Sequence, residues 1–470
     1  MDEHPRLAAD GESAATTPTE HGGARRLDAT EPQPAATRYR FKRLARFARL
    51  ARGAGVALRR HGPLTVGRYA VLWIGGRRGY FLRDLLMETP DFRAIADAAP
   101  EKSVLCISGV GHDSMRYRCE HLAEQLGTQG YRADVIAADQ VQLTEVLNRY
   151  AVFVLHRVMA APDYLAFVGE ARRRGKVVIF DADDLAFDVS ALPHLPALKD
   201  FSGAERQYLA DTMDRNGRML RACDAVTVST GFLRDYILKS GAHQTVALVP
   251  NAVSVAMLRS ADLALAEAHP QTISAPGRGE EPVTIGYFSG TKTHDQDFLE
   301  AADALLWALE RYPHVRLQIV GHLTLDSRFD RYADRVTRVS FQPWQGLPGL
   351  YTAVDINLAP LERDSPFTEA KSCIKYLEAA ICKVPTIASP RSDFRRVIAP
   401  DVSGLLADTP EEWRSALARL IEAPEVRRRM GVLACDAVRE TETTIARAAA
   451  TCDIYRALAP SAFAAEHVAS

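Results

Sequence analysis

The stretch from Ser365 to Ser389, SPFTEAKSCIKYLEAAICKVPTIAS, gathers the residues best suited to hold a charged substrate. On an ideal helix Lys371, Lys375 and Glu378 lie within roughly 60° of one another. Ile374, Leu377 and Ile381 fall on a different face that suits a core. Thr368 is placed to cap such a helix, Glu369 falls in its first turn, and Pro385 breaks the chain after it. Two lysines four residues apart repel by about 0.2–0.5 kcal/mol, so something anionic should compensate them. Glu378 can do part of this. A diphosphate near the helix N-terminus would do it better, because free N–H groups and the helix dipole already favour anions there. The bland alternative is an ordinary amphipathic core helix.

Three further clusters could carry chemistry. Ser289-Gly290-Thr291-Lys292-Thr293-His294-Asp295 follows the apolar run Thr284-Ile285-Gly286-Tyr287-Phe288. A glycine, hydroxyls and a lysine after a parallel strand make a phosphate cradle, although the spacing is not that of a P-loop. Asp181-Ala182-Asp183-Asp184 follows another apolar run, Val177-Val178-Ile179-Phe180. Carboxylates this close repel, so they should bind a cation, cap a helix or serve a reaction. Gly109-Val110-Gly111 follows Val104-Leu105-Cys106-Ile107-Ser108, with Arg116 shortly beyond. The glycines would let a ligand approach the backbone. Arg116 suits a phosphate, which guanidinium binds bidentately, or equally a surface ion pair. The chain has no H-E-x-x-H and no G-x-S-x-G, which argues against a zincin or a serine hydrolase.

The elements that must position these clusters read as two α/β domains with extensions, in a chain of 470 residues. Hydrophobic residues make up 47% and charged residues 25%, as in a globular protein. The net charge of −1 gives no global field for nucleic acid. No apolar run approaches the roughly 18–20 residues of a membrane span, and the acidic, polar N-terminus does not read as a signal peptide. Seven scattered cysteines without a C-x-x-C pair read as buried reduced thiols in a cytosolic protein. Residues 1–38 have the composition of a disordered tail. Residues 39–100 form a basic helical extension. Within it, Arg40, Arg43, Arg46, Arg49 and Arg52 run beside Phe41, Leu44, Phe47 and Leu50. That mixture suits an anionic membrane surface, a helix packed on the body, or a nucleic-acid arm. Residues 101–265 alternate strands and helices, 266–282 form a polar linker, and 283–440 repeat the alternation, with one of its strands read at Val339-Ser340-Phe341. Each series predicts a doubly wound parallel sheet, with ligands beyond the carboxyl ends of the strands. Residues 441–470 hold a last helix and a tail.

Several of these motifs together resemble the retaining, GT-B-fold glycosyltransferases of family 4 (glycosyltransferase group 1). Leu377-Glu378-Ala379-Ala380 is similar to the family's donor-helix motif, and Val384-Pro385-Thr386-Ile387-Ala388-Ser389 to the strand after it. Gly286 to Asp295, the K-S-x-x-K-x-x-E pattern from Lys371 to Glu378, and Asp181 to Leu185 resemble a subgroup found in cell-surface polysaccharide assembly. One departure is Ala370, where the family often has a first glutamate; Glu369 is one residue away. The resemblance implies two Rossmann-like domains facing a cleft, with the last helix crossing back to the first domain. It implies transfer of a sugar from a nucleoside-diphosphate sugar to a glycan or lipid-linked acceptor, with retention. The implied donor-binding residues are Gly290, Thr291, Lys292, Lys371, Ser372, Lys375 and Glu378, the last on the ribose. Lys292 and Lys375 would stabilise the leaving diphosphate, and Asp181 or Asp183 would face the transferred sugar or acceptor hydroxyl. Gly109, Arg116 and Asn251 (within the P-N-x-V turn) would meet the acceptor, and Trp344 would lie near the base. No metal and no cofactor are expected, and nucleic acid is not an expected partner. The expected location is the cytoplasm, with peripheral contact at the inner face of the membrane. The rival readings are a non-catalytic GT-B scaffold or glycan-binding module, and a sugar-nucleotide epimerase of the same fold.

Overall fold

A computed structural model of the chain describes residues 89–268, 282–290 and 295–463. The expectations for residues 1–38 and for the basic segment 39–62 lie outside the described residues, as do those for Thr291 and Lys292.

The alternation of apolar runs with amphipathic segments produces two six-stranded sheets, with parallel pairing throughout. The first contains β1 (Lys102–Ser108), β2 (Ala133–Ala137), β3 (Tyr150–His156), β4 (Val177–Ala182), β5 (Ala225–Val228) and β6 (Val246–Leu248) in the order β2-β1-β3-β4-β5-β6. The second contains β7 (Val283–Ser289), β8 (Val315–Gly321), β9 (Val336–Val339), β10 (Ile356–Ala359), β11 (Thr386–Ala388) and β12 (Leu405–Leu406) in the order β12-β11-β10-β7-β8-β9. Central strands covered on both faces need continuous apolar runs. Val152, Phe153, Val154 and Leu155 on β3 are accordingly fully buried. Chain order reverses between β1 and β3 in one sheet and between β7 and β10 in the other. Such switch points open a crevice at the carboxyl ends of the strands.

The last helix, Thr444–Leu458, packs its Cys452 and Tyr455 into the core of the first sheet with Val104, Val152 and Ile179. Thr444 and Thr451 donate to Glu124 and Gln125 of the helix His121–Thr128, at 2.9 and 2.7 Å. The chain therefore crosses from the second sheet back to the first. All seven cysteines are buried free thiols.

Three local expectations are corrected. The strand read at Val339-Ser340-Phe341 lies earlier, at Val336–Val339, and β12 had no sequence signal because it is two residues long. The helix read from Thr368 through Ile381 is broken in two, Pro366–Glu369 and Ile374–Ile381. Ser365, rather than Thr368, caps the first piece, accepting from the Phe367 N–H at 3.3 Å. Thr368 instead donates back to the carbonyls of Ser365 and Glu362, both at 2.8 Å. The break persists because Asp393 Oδ2, on the separate helix Ser392–Val397, accepts the Cys373 N–H at 2.9 Å, giving that amide a partner other than a carbonyl of its own helix.

One close approach fixes the loop ends of the first sheet. Arg157, directly after β3, adopts φ 48°, a left-handed conformation that is uncommon for a non-glycine residue. Its carbonyl packs against Gly109, where a Cβ would stand 2.2 Å from the oxygen. Gly109→Ala should therefore destabilise the fold by about 1–3 kcal/mol, as overpacking does, measured by denaturant unfolding. Gly111→Ala, where a Cβ would meet nothing within 4 Å, is the matched control and should cost far less.

Candidate active site

The two sheets face each other across a cleft of about 400 Å³. From the first sheet it is lined by residues beyond β1 (Ser114, Tyr117), β3 (Arg157), β4 (Asp183, Asp184) and β6 (Asn251). From the second come Gly290 beyond β7, Gly321 at the end of β8, and Lys371, Ser372, Lys375 and Glu378 around the start of the helix Ile374–Ile381. Gly321 has φ 90°, and a Cβ there would strike the Ser289 carbonyl at 1.9 Å, so this turn requires glycine.

Lys375 carries the charge that the cleft leaves least satisfied. Its Nζ is buried and has no hydrogen-bond partner among the described residues. It lies 4.6 Å over the ring of Tyr287. Burial pushes its pKa down to about 8, against the pull of Asp297. A buried cation without a partner is costly, so an anion entering here would relieve an existing penalty. The helix N-terminus beside it adds N–H groups that have no partner inside the helix. Lys371 precedes that helix instead of sharing its face, and its Nζ is 3.7 Å from Asp184 Oδ2. Asp184 raises its pKa despite burial.

Glu378 sits one turn along the helix from Lys375. Its Oε1 accepts from the Tyr117 hydroxyl at 2.9 Å and lies 3.7 Å from Arg116 Nη2. Burial still raises its pKa, with Arg116 and Tyr117 opposing. Ser372 accepts from Asn251 Nδ2 at 2.9 Å. Both contacts join the two sheets' walls across the cleft.

The acidic cluster divides into two roles. Asp183 lines the cleft, with Oδ1 3.4 Å from both His156 Nε2 and Arg157 Nη1, while Ser114 donates to Oδ2. Burial works to raise its pKa, but His156 and Arg157 outweigh it and hold the carboxyl well below its usual range. Asp181 is placed elsewhere. It is wholly buried and bound in a fork by Arg118, at 2.9 and 2.7 Å, with Thr227 donating at 2.6 Å. Arg118 also donates to the Val249 carbonyl at 2.6 Å and to Asn251 Oδ1 at 3.0 Å. Asp181 thus ties β4 to the turn after β6 and does not reach the cleft, because its side chain points into the sheet's packing.

The three residues expected at the acceptor divide similarly. Asn251 lines the cleft. Gly109 packs against the Arg157 backbone and does not itself line the cleft. Arg116 lies between the rings of Tyr117 and Trp344, 4.5 and 5.2 Å from their centroids, and is bonded to Asp113 at 2.9 Å. That position is beside Glu378. Glu369 points away from the cleft and accepts the Ser392 N–H at 2.9 Å. Sequence reasoning missed Ser114, Tyr117, His156 and Arg157. A signal existed for the last two: His156 ends the buried strand β3 and Arg157 follows it directly, where the strand-end rule places ligands. Among the described residues no group of His, Cys, Asp and Glu could hold a metal ion, and no helix is long and apolar enough to cross a membrane.

This architecture is the two-domain α/β fold called GT-B. The Anabaena HepE protein, solved in complex with UDP and glucose, matches it with TM-score 0.50 at 12% identity, over 76% of this chain and 100% of that one. Sucrose-phosphate synthase from Thermosynechococcus elongatus matches with TM-score 0.50 at 16% identity, over 76% and 99%. Residues 282–423 match the family described as Glycosyl transferases group 1, so the second half of the chain carries a group 1 glycosyl transferase domain. The D-inositol 3-phosphate glycosyltransferase of Segniliparus rotundus is 28% identical over 231 residues, 46% of this chain and 48% of that protein. The chain thus spans about half the length of that curated relative.

Removing one partner of a buried ion pair strands the other. Arg118→Leu should therefore lower stability by about 3–5 kcal/mol, read by chemical denaturation. A loss under about 1 kcal/mol would show that Asp181 finds water or another donor.

Proposed function

We propose that the chain is a retaining glycosyltransferase of family 4 type. It would move a sugar from a nucleoside-diphosphate donor to a glycan or lipid-linked acceptor, in the assembly of a surface polysaccharide. The observation that carries this reading is Lys375, a buried cation without a hydrogen-bond partner among the described residues, at a helix N-terminus in the cleft between two sheets. The relatives' printed names support it: one is a glycosyltransferase, and one was solved with UDP and glucose.

In this mechanism the donor diphosphate lies against Lys375, Lys371 and the start of the helix Ile374–Ile381. Glu378 holds the ribose through the oxygen that Tyr117 leaves open; Tyr351, at 3.5 Å, contacts that oxygen only weakly. Charge grows on the diphosphate as the sugar departs, and fixed cations in a water-poor cleft stabilise charge that develops in the transition state. Asp183 faces the sugar as it becomes oxocarbenium-like. Its carboxylate is already engaged by Ser114, Arg157 and His156, so it suits electrostatic stabilisation better than nucleophilic attack. The acceptor then attacks from the face the diphosphate leaves, and the leaving phosphate takes the acceptor's proton. Peripheral attachment at an anionic membrane through residues 39–62 belongs to the same reading.

Calorimetry with a panel of nucleoside diphosphates and nucleotide sugars tests the donor site. One donor should bind the wild type and lose binding in Glu378→Ala. No binding by any donor to folded protein would favour a scaffold role. The bound nucleoside diphosphate should also weaken by about tenfold per pH unit above about 8, because Lys375 is charged only below its pKa. Lys375→Met should bind weakly at every pH without that step. Lys375→Ala should lose roughly 2–4 kcal/mol of transition-state stabilisation, in line with removal of one oxyanion donor. Unchanged turnover would remove Lys375 from the mechanism.

A further inference from the structure

We infer that His156 is a positioning residue: a buried imidazolium that keeps Asp183 ionised and turned toward the cleft. The inference rests on the reading that Asp183 faces the transferred sugar.

The protonation state follows from hydrogen-bond bookkeeping on three groups. The Ser108 hydroxyl has one proton and donates it to the Val110 carbonyl at 2.5 Å. The same oxygen lies 2.8 Å from His156 Nδ1. Ser108 therefore presents a lone pair to the ring, and Nδ1 carries a hydrogen. On the other side of the ring, Nε2 lies 3.4 Å from Asp183 Oδ1. A neutral ring with its hydrogen on Nδ1 would turn a lone pair against a carboxylate inside the protein. A second proton, on Nε2, converts that repulsion into an ion pair.

The neighbours of His156 support the charged form. The ring is wholly buried. From the helical turn Arg116–Glu120 Cys119 faces it; Cys106 and burial push that thiol's pKa far up, so it brings no negative charge. From β4, Asp181 is already bound in a fork by Arg118. Arg157 approaches the same Asp183 oxygen at 3.4 Å and opposes a second cation nearby. Burial also opposes it, yet Asp183 prevails and the ring's pKa is pushed up to about 9. Asp183 thus has two partners that face the cleft, Arg157 and Ser114, and one that cannot leave, His156. Arg157 can turn to a substrate while His156 keeps the carboxylate fixed. A carboxylate used against a developing positive charge must neither swing nor take up a proton.

Nitrogen-15 histidine labelling of the full chain reads the ring directly, without turnover, with the signal assigned by its loss in His156→Gln or its shift in Ser108→Ala. Both ring nitrogens should be protonated at pH 7.5, with a midpoint near 9 that falls below 7 in Asp183→Asn. A neutral ring at pH 7.5, or a midpoint that Asp183→Asn does not move, would overturn the inference. In turnover, His156→Gln should lower kcat by roughly 10²-fold and leave nucleoside-diphosphate affinity unchanged; an unchanged kcat would remove the positioning role. Should His156→Gln not fold, Ser108→Ala keeps the ring and should move the alkaline limb of the kcat profile to lower pH, and an unmoved limb would count against it. Failure of the glycosyltransferase reading itself would appear separately, as absence of nucleotide binding while the ring still titrates as described.

Discussion

The carboxyl ends of two parallel sheets meet here, and each ionised side chain at that meeting must be matched or left for a ligand. Burial multiplies the cost of an unmatched charge, so the pairing pattern decides what the cleft can do. Asp181 is matched by Arg118, and the pair ties β4 to the turn after β6. Asp183 is matched by His156, Arg157 and Ser114, yet still lines the opening. Glu378 is partly matched by Tyr117 from the opposite wall. Lys375 has no hydrogen-bonding match among the described residues. The result is a cavity with a held carboxylate on one wall and a waiting cation on the other. That polarity suits a substrate whose bond breaks into an anionic and a cation-like fragment.

The two walls are also linked mechanically. Ser365 donates to the His194 carbonyl at 3.1 Å, Thr230 to the Ala370 carbonyl at 3.3 Å, and Asn251 to Ser372 at 2.9 Å. These are single hydrogen bonds, each worth about 0.5–1.5 kcal/mol net, so opening and closing the cleft need not disturb either core. The crossing helix Thr444–Leu458 sits in the first sheet's core and is the more durable tie.

Much of this framework was legible in the chain. Buried parallel strands are largely apolar runs, and β1, β4 and β7 announce themselves in that way, whereas β9 (Val336-Thr337-Arg338-Val339) has exposed polar residues at its centre and lies a few residues from where it was read. Lys371, Ser372, Lys375 and Glu378 were legible as a group because they are close in sequence. The break before Ile374 was not, because it depends on Asp393, twenty residues away. The fate of Asp181 and Asp183 was hidden for the same reason. Two carboxylates separated by one alanine read alike, and they differ only because Arg118 arrives from a helical turn and His156 from another strand. Ser114, Tyr117 and Arg157 carry no motif of their own; they gain meaning only when β1, β3 and β4 lie side by side. Local pattern gave the scaffold, and long-range pairing of charges assigned the roles.

The most direct test of the central claim is a crystal structure of the chain with a nucleoside diphosphate bound. The account predicts a phosphate oxygen within hydrogen-bond distance of Lys375 Nζ, at the start of the helix Ile374–Ile381, and the ribose hydroxyls on Glu378. A diphosphate bound elsewhere, with Lys375 Nζ still lying over the Tyr287 ring and Glu378 still held by Tyr117, Tyr351 and Arg116, would contradict it.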